Sequence, residues 1–229
     1  MELMRSKPDG FWDLAICDIP YGLDVGNMAY LKETKTTVKQ KNGTRLNGNK
    51  QKKIYTQKNW DKETPQQEYF NELQRVSNEQ IIFGVEYVKW KGIGNGRIRW
   101  NKGVAEGMSF KQYEKAYCSL INYEMEIPLL WAGMCQAKSI KEPMTQQGNK
   151  KLNEKRIHPT HKPVMLYDII IQKFAKKDFK ILDTHGGGMS IAISCDKQGF
   201  YLDIAEIDKE YFDNGVQRFN NYKSQLNLF

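Results

Sequence analysis

The sequence predicts an α/β protein built on a doubly wound, mostly parallel sheet, and three observations carry that expectation. Apolar strand-like runs alternate with amphipathic helical segments along the chain, as in a sheet with helices packed on both faces. The first run, Phe11 to Cys17, is mostly apolar, as expected of a strand covered on both sides. Near the other end, a strand ending in Asp183 leads into Gly186-Gly187-Gly188, a helix and a second strand ending in Glu206. That is the layout of a nucleotide-type site at the carboxyl edge of a parallel sheet. The 229 residues are enough for one well-buried domain, so 1–229 is read as a single unit.

Taken in order, Pro8-Asp9-Gly10 is a turn that launches the first strand, which ends at Asp18-Ile19-Pro20-Tyr21. From Leu23 to Asn59 no helix or strand periodicity survives, and basic residues including Lys35, Lys39, Lys41, Arg45, Lys52 and Lys53 face only Asp24 and Glu33. Loops of this length are functional or disordered, and this one leaves directly from the Asp18 turn. Thr64-Pro65-Gln66-Gln67 has the form of a capping box, predicting a helix from Pro65 to about Ser77 with Tyr69, Leu73 and Val76 on its buried face. Strands follow at Gln80–Phe83 and Arg97–Trp100, while Glu114–Asn122 and Ile127–Trp131 read as extended or mixed. A second polar, basic loop covers 138–156. Pro163 then opens a helix carrying Leu166, Ile169, Ile170 and Phe174. The strand Phe179–Asp183 precedes a helix at about Ser190–Gln198, closed by Gly199, and the strand Phe200–Glu206 precedes a last helix capped by Asp208 that buries Tyr211, Phe212, Val216 and Phe219.

Composition narrows the function classes. Lys and Arg number 35 against 27 Asp and Glu, a net charge of +8 that suits a polyanionic partner such as nucleic acid. Cys17, Cys118, Cys135 and Cys195 are scattered without a C-x-x-C pair, so neither a disulfide framework nor a zinc knuckle is indicated, and a reducing cytoplasm is expected. No signal peptide or membrane-spanning stretch is found. His158 and His161 form an H-x-x-H pair, but nothing supplies further ligands, so no metal is assigned.

The glycine segment could seat a dinucleotide or S-adenosylmethionine. A dinucleotide needs the G-x-G-x-x-G spacing for its pyrophosphate, and here Met189, Ser190 and Ile191 follow the glycines. Asp183 beside the loop repels a pyrophosphate yet suits an ammonium and a sulfonium. Glu206 lies about 20 residues beyond Gly187, the spacing at which a carboxylate accepts from a ribose diol. S-adenosylmethionine is the cofactor these residues favour.

With those pieces placed, the chain resembles the β-class amino-group DNA methyltransferases, in which the catalytic motif precedes the cofactor motif in a circularly permuted, Rossmann-like order. Asp18-Ile19-Pro20-Tyr21 resembles their D-P-P-Y motif, and His158-Pro159-Thr160-His161-Lys162-Pro163 their H-x-T-x-K-P segment beside the methionine part of the cofactor. Asp183-Thr184-His185-Gly186-Gly187-Gly188-Met189-Ser190 is similar to their D-P-F-x-G-S-G-T loop, Glu206 matches their ribose-binding acid, and Arg99-Trp100-Asn101-Lys102 resembles a further strand-end segment. Ile19, Thr184-His185 and Met189 depart from the pattern. A short family strand ending in an acid would fall before Met1, which implies a sheet without that edge strand, weaker cofactor binding or a trimmed chain.

The resemblance implies methyl transfer from S-adenosylmethionine to an exocyclic amine of double-stranded DNA, as in restriction–modification, adenine N6 being favoured by the leading Asp. The Asp18 carboxylate and Ile19 carbonyl would hold both amine hydrogens, Pro20 would fix the turn and Tyr21 would stack on a flipped base. The implied cofactor residues are Thr160, Lys162, Asp183, Thr184, Gly186, Gly187, Gly188 and Glu206, and the loops at about 23–59 and 138–156 would contact DNA. Cys17 reads as a core cysteine. Cytosine N4, RNA or a protein amide remain alternative substrates, and a nucleic-acid-binding module with a decayed site is the reading from another class. A homodimer is compatible with the sequence.

Overall fold

The computed structural model describes residues 1–25, 58–107 and 111–226, with the backbone of 38–39 and 45–46. The helices are α1 (Glu2–Arg5), α2 (Gln67–Val76), α3 (Val164–Phe174), α4 (Ser190–Gln198) and α5 (Lys209–Leu226). The strands are β1 (Trp12–Asp18), β2 (Val38–Lys39), β3 (Arg45–Leu46), β4 (Ser77–Phe83), β5 (Arg97–Asn101), β6 (Tyr113–Cys118), β7 (Glu124–Pro128), β8 (Trp131–Ala132), β9 (Cys135–Gln136), β10 (Lys180–Asp183) and β11 (Tyr201–Ile204).

Seven strands form the central sheet in the order β11-β10-β1-β4-β6-β5-β7. Every neighbouring pair is parallel except the two made by β6, which runs against β4 and β5. The mostly parallel sheet expected from the alternating pattern is therefore present. Strands β1 and β10 lie side by side, but the chain leaves β10 for β11 on one side and β1 for β4 on the other. That switch point opens a crevice at their carboxyl ends, where open α/β sheets bind ligands.

The pleat sends alternate β1 residues into two cores. Leu14 and Ile16 join Ile81, Phe83, Leu166 and Ile170 on one face, while Ala15, Cys17 and Ile19 join Tyr69, Phe70 and Leu73 on the other. Double coverage explains why β1 reads as a mostly apolar run.

Several boundaries move for physical reasons. Helix α2 starts at Gln67, with no side-chain cap, and not at Pro65. Thr64 and Pro65 instead line the crevice, and Thr64 packs against Gly22. The next strand begins at Ser77, immediately after Val76, earlier than the expected Gln80. Strand β11 ends at Ile204, leaving Glu206 in the loop that follows. In α5, Asp208 caps the Tyr211 amide at 3.1 Å as expected. Tyr211 is buried and Val216 and Phe219 half-buried, but Phe212 points to solvent with 42% exposure. Between 23 and 59 the described residues include a two-residue antiparallel ladder, β2 with β3, that the sequence did not announce. Among the described residues no helix is long and apolar enough to cross a membrane.

Candidate active site

The crevice at the ends of β1 and β10 is a cleft of about 790 Å3. Asp18, Ile19, Pro20 and Tyr21 line one side, and Thr184, Gly186, Gly187, Gly188 and Glu206 the other, with Thr160 and Lys162 between them. The residues expected for two functions thus share one cavity. Asp183 is the exception, standing behind the wall with 1% exposure.

The Asp18 side is a compact set of charges. Lys162 reaches from the segment before α3 to place Nζ 2.5 Å from Asp18 Oδ1 and 3.2 Å from Glu114 Oε2. Lys102 holds the other Glu114 oxygen at 2.8 Å. The Tyr21 hydroxyl donates to Asp18 Oδ1 at 2.9 Å and accepts from Lys162 at 3.0 Å. Burial raises the Asp18 carboxyl and Glu114 adds to the effect, while Lys162 opposes it. Burial also works against ionised Glu114, but Lys162 and Lys102 together hold it at about 2. The Tyr21 ring lies flat against Tyr87 at 4.7 Å and sits so close to Gly84 that a Cβ there would fall 2.2 Å from the ring. Gly84, at φ +87°, is the residue that admits it. Neighbouring Cys17 is fully buried and burial pushes its thiol to about 12, so it serves the core and not nucleophilic chemistry.

Asp61 fixes the backbone of this turn. Its Oδ1 accepts from the amides of Tyr21 at 2.7 Å and Gly22 at 3.1 Å, and its Oδ2 from Val25 at 3.0 Å. Next to it, Trp60 lies 4.7 Å from the His158 ring on the cleft wall.

The opposite side is shaped by backbone. The Asp183 carboxylate caps the His185 amide at 2.9 Å, and burial pushes its pKa to about 8, with Asp18 and Glu206 adding to the rise. Glu206 Oε2 accepts from Gly187 N at 2.7 Å and Oε1 from Asp208 N at 2.8 Å, which presses the acid onto the glycine loop. Gly188 has no room for a Cβ, which would fall 2.3 Å from His161 Nδ1. Met189 adopts φ 52°, but its side chain is turned away from the cleft onto Gly215 of α5 and is 4% exposed. Thr184 Oγ1 meets the Tyr69 hydroxyl at 2.7 Å, and Thr160 Oγ1 meets His158 Nδ1 at 3.1 Å. Burial drives His158 down to about 3, so it is neutral at pH 7.

The loop at 138–156, expected to grip DNA, is anchored to the site through Glu154. That carboxylate meets His161 Nε2 at 2.9 Å and Arg218 at 2.5 Å, and caps the α3 amide of Val164 at 3.1 Å. Of the expected DNA contacts at 23–59, Lys39 and Arg45 face each other across the β2–β3 ladder, and Lys35, Lys41, Lys52 and Lys53 lie outside the described residues. Lys58, in the same basic stretch, pairs with Asp208 at 2.8 Å and Glu210 at 2.9 Å.

Sequence reading missed Asp61, Glu114 and Glu154, while Lys102 was singled out only as the end of the Arg99-Trp100-Asn101-Lys102 segment. Glu114 alone carried a signal: in β6 it shares a face with Ala116 and Cys118, both 0% exposed, and a charge at an inward position of an alternating strand asks for a function.

No protein-family model and no curated protein sequence matches the chain. Among solved structures, the M1.HpyAVI–SAM complex aligns with a TM-score of 0.54 at 16% identity, covering 95% of this chain and 92% of that one. PvuII DNA methyltransferase (cytosine-N4-specific) aligns with a TM-score of 0.50 at 12% identity, covering 95% and 83%. The likeness is one of fold, and it matches the Rossmann-like sheet expected from the sequence.

Proposed function

We propose that the chain is an S-adenosylmethionine-dependent methyltransferase acting on an exocyclic amino group of double-stranded DNA, adenine N6 in preference to cytosine N4. The observation that carries the reading is the single cleft in which an amine-accepting carboxylate, Asp18, faces a glycine cradle bounded by Glu206 and backed by Asp183. The donor set suits the cofactor: burial holds His158 and His185 neutral at pH 7, and the Glu206 carboxylate on the loop favours a cation and disfavours a pyrophosphate. A cleft of about 790 Å3 is within the range of small-molecule sites.

Gly186, Gly187, Gly188 and Glu206 would hold the adenosine part and Thr160 the amino-acid part, with Asp183 acting from behind the wall through its charge. Once bound, S-adenosylmethionine supplies a methyl group activated on a sulfonium. The chain supplies orientation: Asp18 and the Ile19 carbonyl accept the two amine hydrogens, directing the nitrogen lone pair toward the cradle. Ile19 needs only its carbonyl for this, so the departure from proline leaves the chemistry intact. The Tyr21 ring lines the cleft with Tyr87 stacked on it, and would be the wall against which a flipped base rests. Lysines of the 23–59 stretch, Lys39 included, and Arg45 would hold the phosphates.

The test is mass spectrometry of nucleosides from DNA incubated with the protein and S-adenosylmethionine. N6-methyladenine is expected, with Asp18→Ala losing at least about 1000-fold of the rate while keeping cofactor affinity by calorimetry. N4-methylcytosine would move the substrate to cytosine. Methylation of RNA or protein alone would overturn the DNA assignment, and salt-dependent DNA binding without cofactor binding would leave only the binding-module reading.

A further inference from the structure

Glu114 belongs to none of the motifs above, yet it is the second carboxylate on the Lys162 ammonium. The Lys162 side chain is 2% exposed, with Nζ 4.8 Å from the centre of the Phe83 ring and 5.4 Å from that of Tyr21. An ammonium buried this deeply cannot fall back on water if one of its carboxylates is taken. It needs another carboxylate within reach of a small movement, and Glu114 Oε2 stands 3.2 Å away. Lys102 grips Oε1 of Glu114, so that alternative seat stays fixed while Lys162 moves.

On the function proposed above, on which this inference rests, the substrate amine must donate to Asp18. Oδ1 of Asp18 already accepts from Lys162 and from Tyr21. A neutral arylamine competes poorly with an ammonium for one carboxylate oxygen, Oδ1, unless the ammonium has somewhere to go. We propose that Lys162 is a place-holder for the substrate amine on Asp18, and that Glu114 is a positioning residue that receives the Lys162 ammonium when the amine docks.

The arrangement meets two demands at once. In the free cleft, Lys162 opposes the burial that raises the Asp18 carboxyl and so favours the acceptor form. In the loaded cleft, Lys162 rests on Glu114 and the amine finds a free lone pair. The charges facing Asp18 are Lys162, Glu114 with Lys102 behind it, and Asp183, and the phenols are Tyr21 and Tyr167. Because Glu114 raises the Asp18 pKa by charge repulsion, removing its charge has two effects of opposite sign: amine capture worsens, while Asp18 ionises at lower pH. A general loss of packing does not produce that pair.

The experiment uses Glu114→Gln, Lys162→Gln and the double variant, with Glu114→Asp as the conservative control and thermal melts to check folding. Glu114→Gln is expected to lower kcat on DNA by about ten-fold or more. It should leave the Kd for S-adenosylmethionine within about two-fold, and shift the acid limb of kcat to lower pH. In the Lys162→Gln background the same substitution should cost no further kcat at pH 8, since Glu114 acts only through Lys162. Glu114→Asp should restore the limb and part of the rate. Penalties that simply add, or an unmoved limb, overturn the proposal. A second arm needs no reaction: carboxyl 13C titration of Asp18 in the ligand-free protein, where Glu114→Gln lowers the midpoint and Lys162→Gln raises it. An inactive wild type with those shifts sinks the functional reading and leaves the shared ammonium standing; a midpoint unmoved by both substitutions sinks the shared ammonium itself.

Discussion

The two sides of the cleft are organised by different physics. The Asp18 side is held by side-chain charge: Lys162 between two carboxylates, and Asp61 on three backbone amides. The glycine side is held by backbone shape: Gly187 at φ 48°, Met189 at φ 52° and a Gly188 that admits no Cβ, with Asp183 pushed by burial to about 8 and Glu206 set on the amides of Gly187 and Asp208. The first side is complete on its own and must exchange a partner to work. The second is electrostatically unfinished and is stabilised by the arrival of a cation.

Asp183→Asn tests that contrast with the largest effect. Burial pushes the Asp183 carboxyl from its ordinary 3.8 to about 8 in the fold, so the unfolded chain releases its proton first as pH rises. The stability it contributes is full below about pH 4 and is lost as pH climbs through 8. The asparagine keeps the shape without the charge, and should raise Tm at pH 8 by about 3 °C or more while weakening S-adenosylmethionine binding by at least about ten-fold. In the wild type, cofactor binding at pH 7 should release a proton, seen as a buffer-dependent calorimetric enthalpy that the variant lacks. An unchanged melt with unchanged affinity would mean that the glycine side is not charge-frustrated.

The same contrast explains what the sequence could disclose. Asp18-Ile19-Pro20-Tyr21, Gly186-Gly187-Gly188 and Glu206 announce themselves because their chemistry is local: an acid and a proline end a strand, glycines free a backbone, and an acid follows at a set spacing. The alternation of elements made the sheet legible in the same way. The parts that were not legible join across long distances. Asp61 reaches back 40 residues to Tyr21, and Glu154 pairs with Arg218 64 residues on. Polar residues of this kind look like any solvated loop side chain until the fold buries them, as it does Asp61 to 2% exposure. The antiparallel β6 was hard to read for a related reason: its exposed Tyr113 and inward Glu114 invert the polarity expected of an alternating strand.

Asp61→Asn probes the side-chain-organised half more gently. An amide keeps one acceptor oxygen for Tyr21 and Gly22 but turns an NH2 toward the Val25 amide, leaving two donors opposed in a buried place. The turn that carries Asp18 should loosen, lowering kcat by about ten-fold while Kd for S-adenosylmethionine holds within about two-fold. Loss of cofactor affinity together with kcat would show that the two sides are not organised separately.

The smallest effect is expected at Met189, the position where the sequence departs from glycine. A left-handed conformation costs a non-glycine residue about 1–2 kcal/mol, and Met189→Gly removes that cost. The same change strips a buried side chain from Gly215 of α5, a loss of about 1.5–3 kcal/mol. The opposing contributions leave a net destabilisation of about 1 kcal/mol, which urea unfolding can measure. Cofactor affinity should move by less than about two-fold, because the Met189 side chain does not line the cleft and the glycine side is defined by backbone that glycine also adopts. Cofactor binding tightened ten-fold by Met189→Gly would mean that the methionine strains the cradle itself, and the two sides of the cleft would then differ in quality as well as in kind.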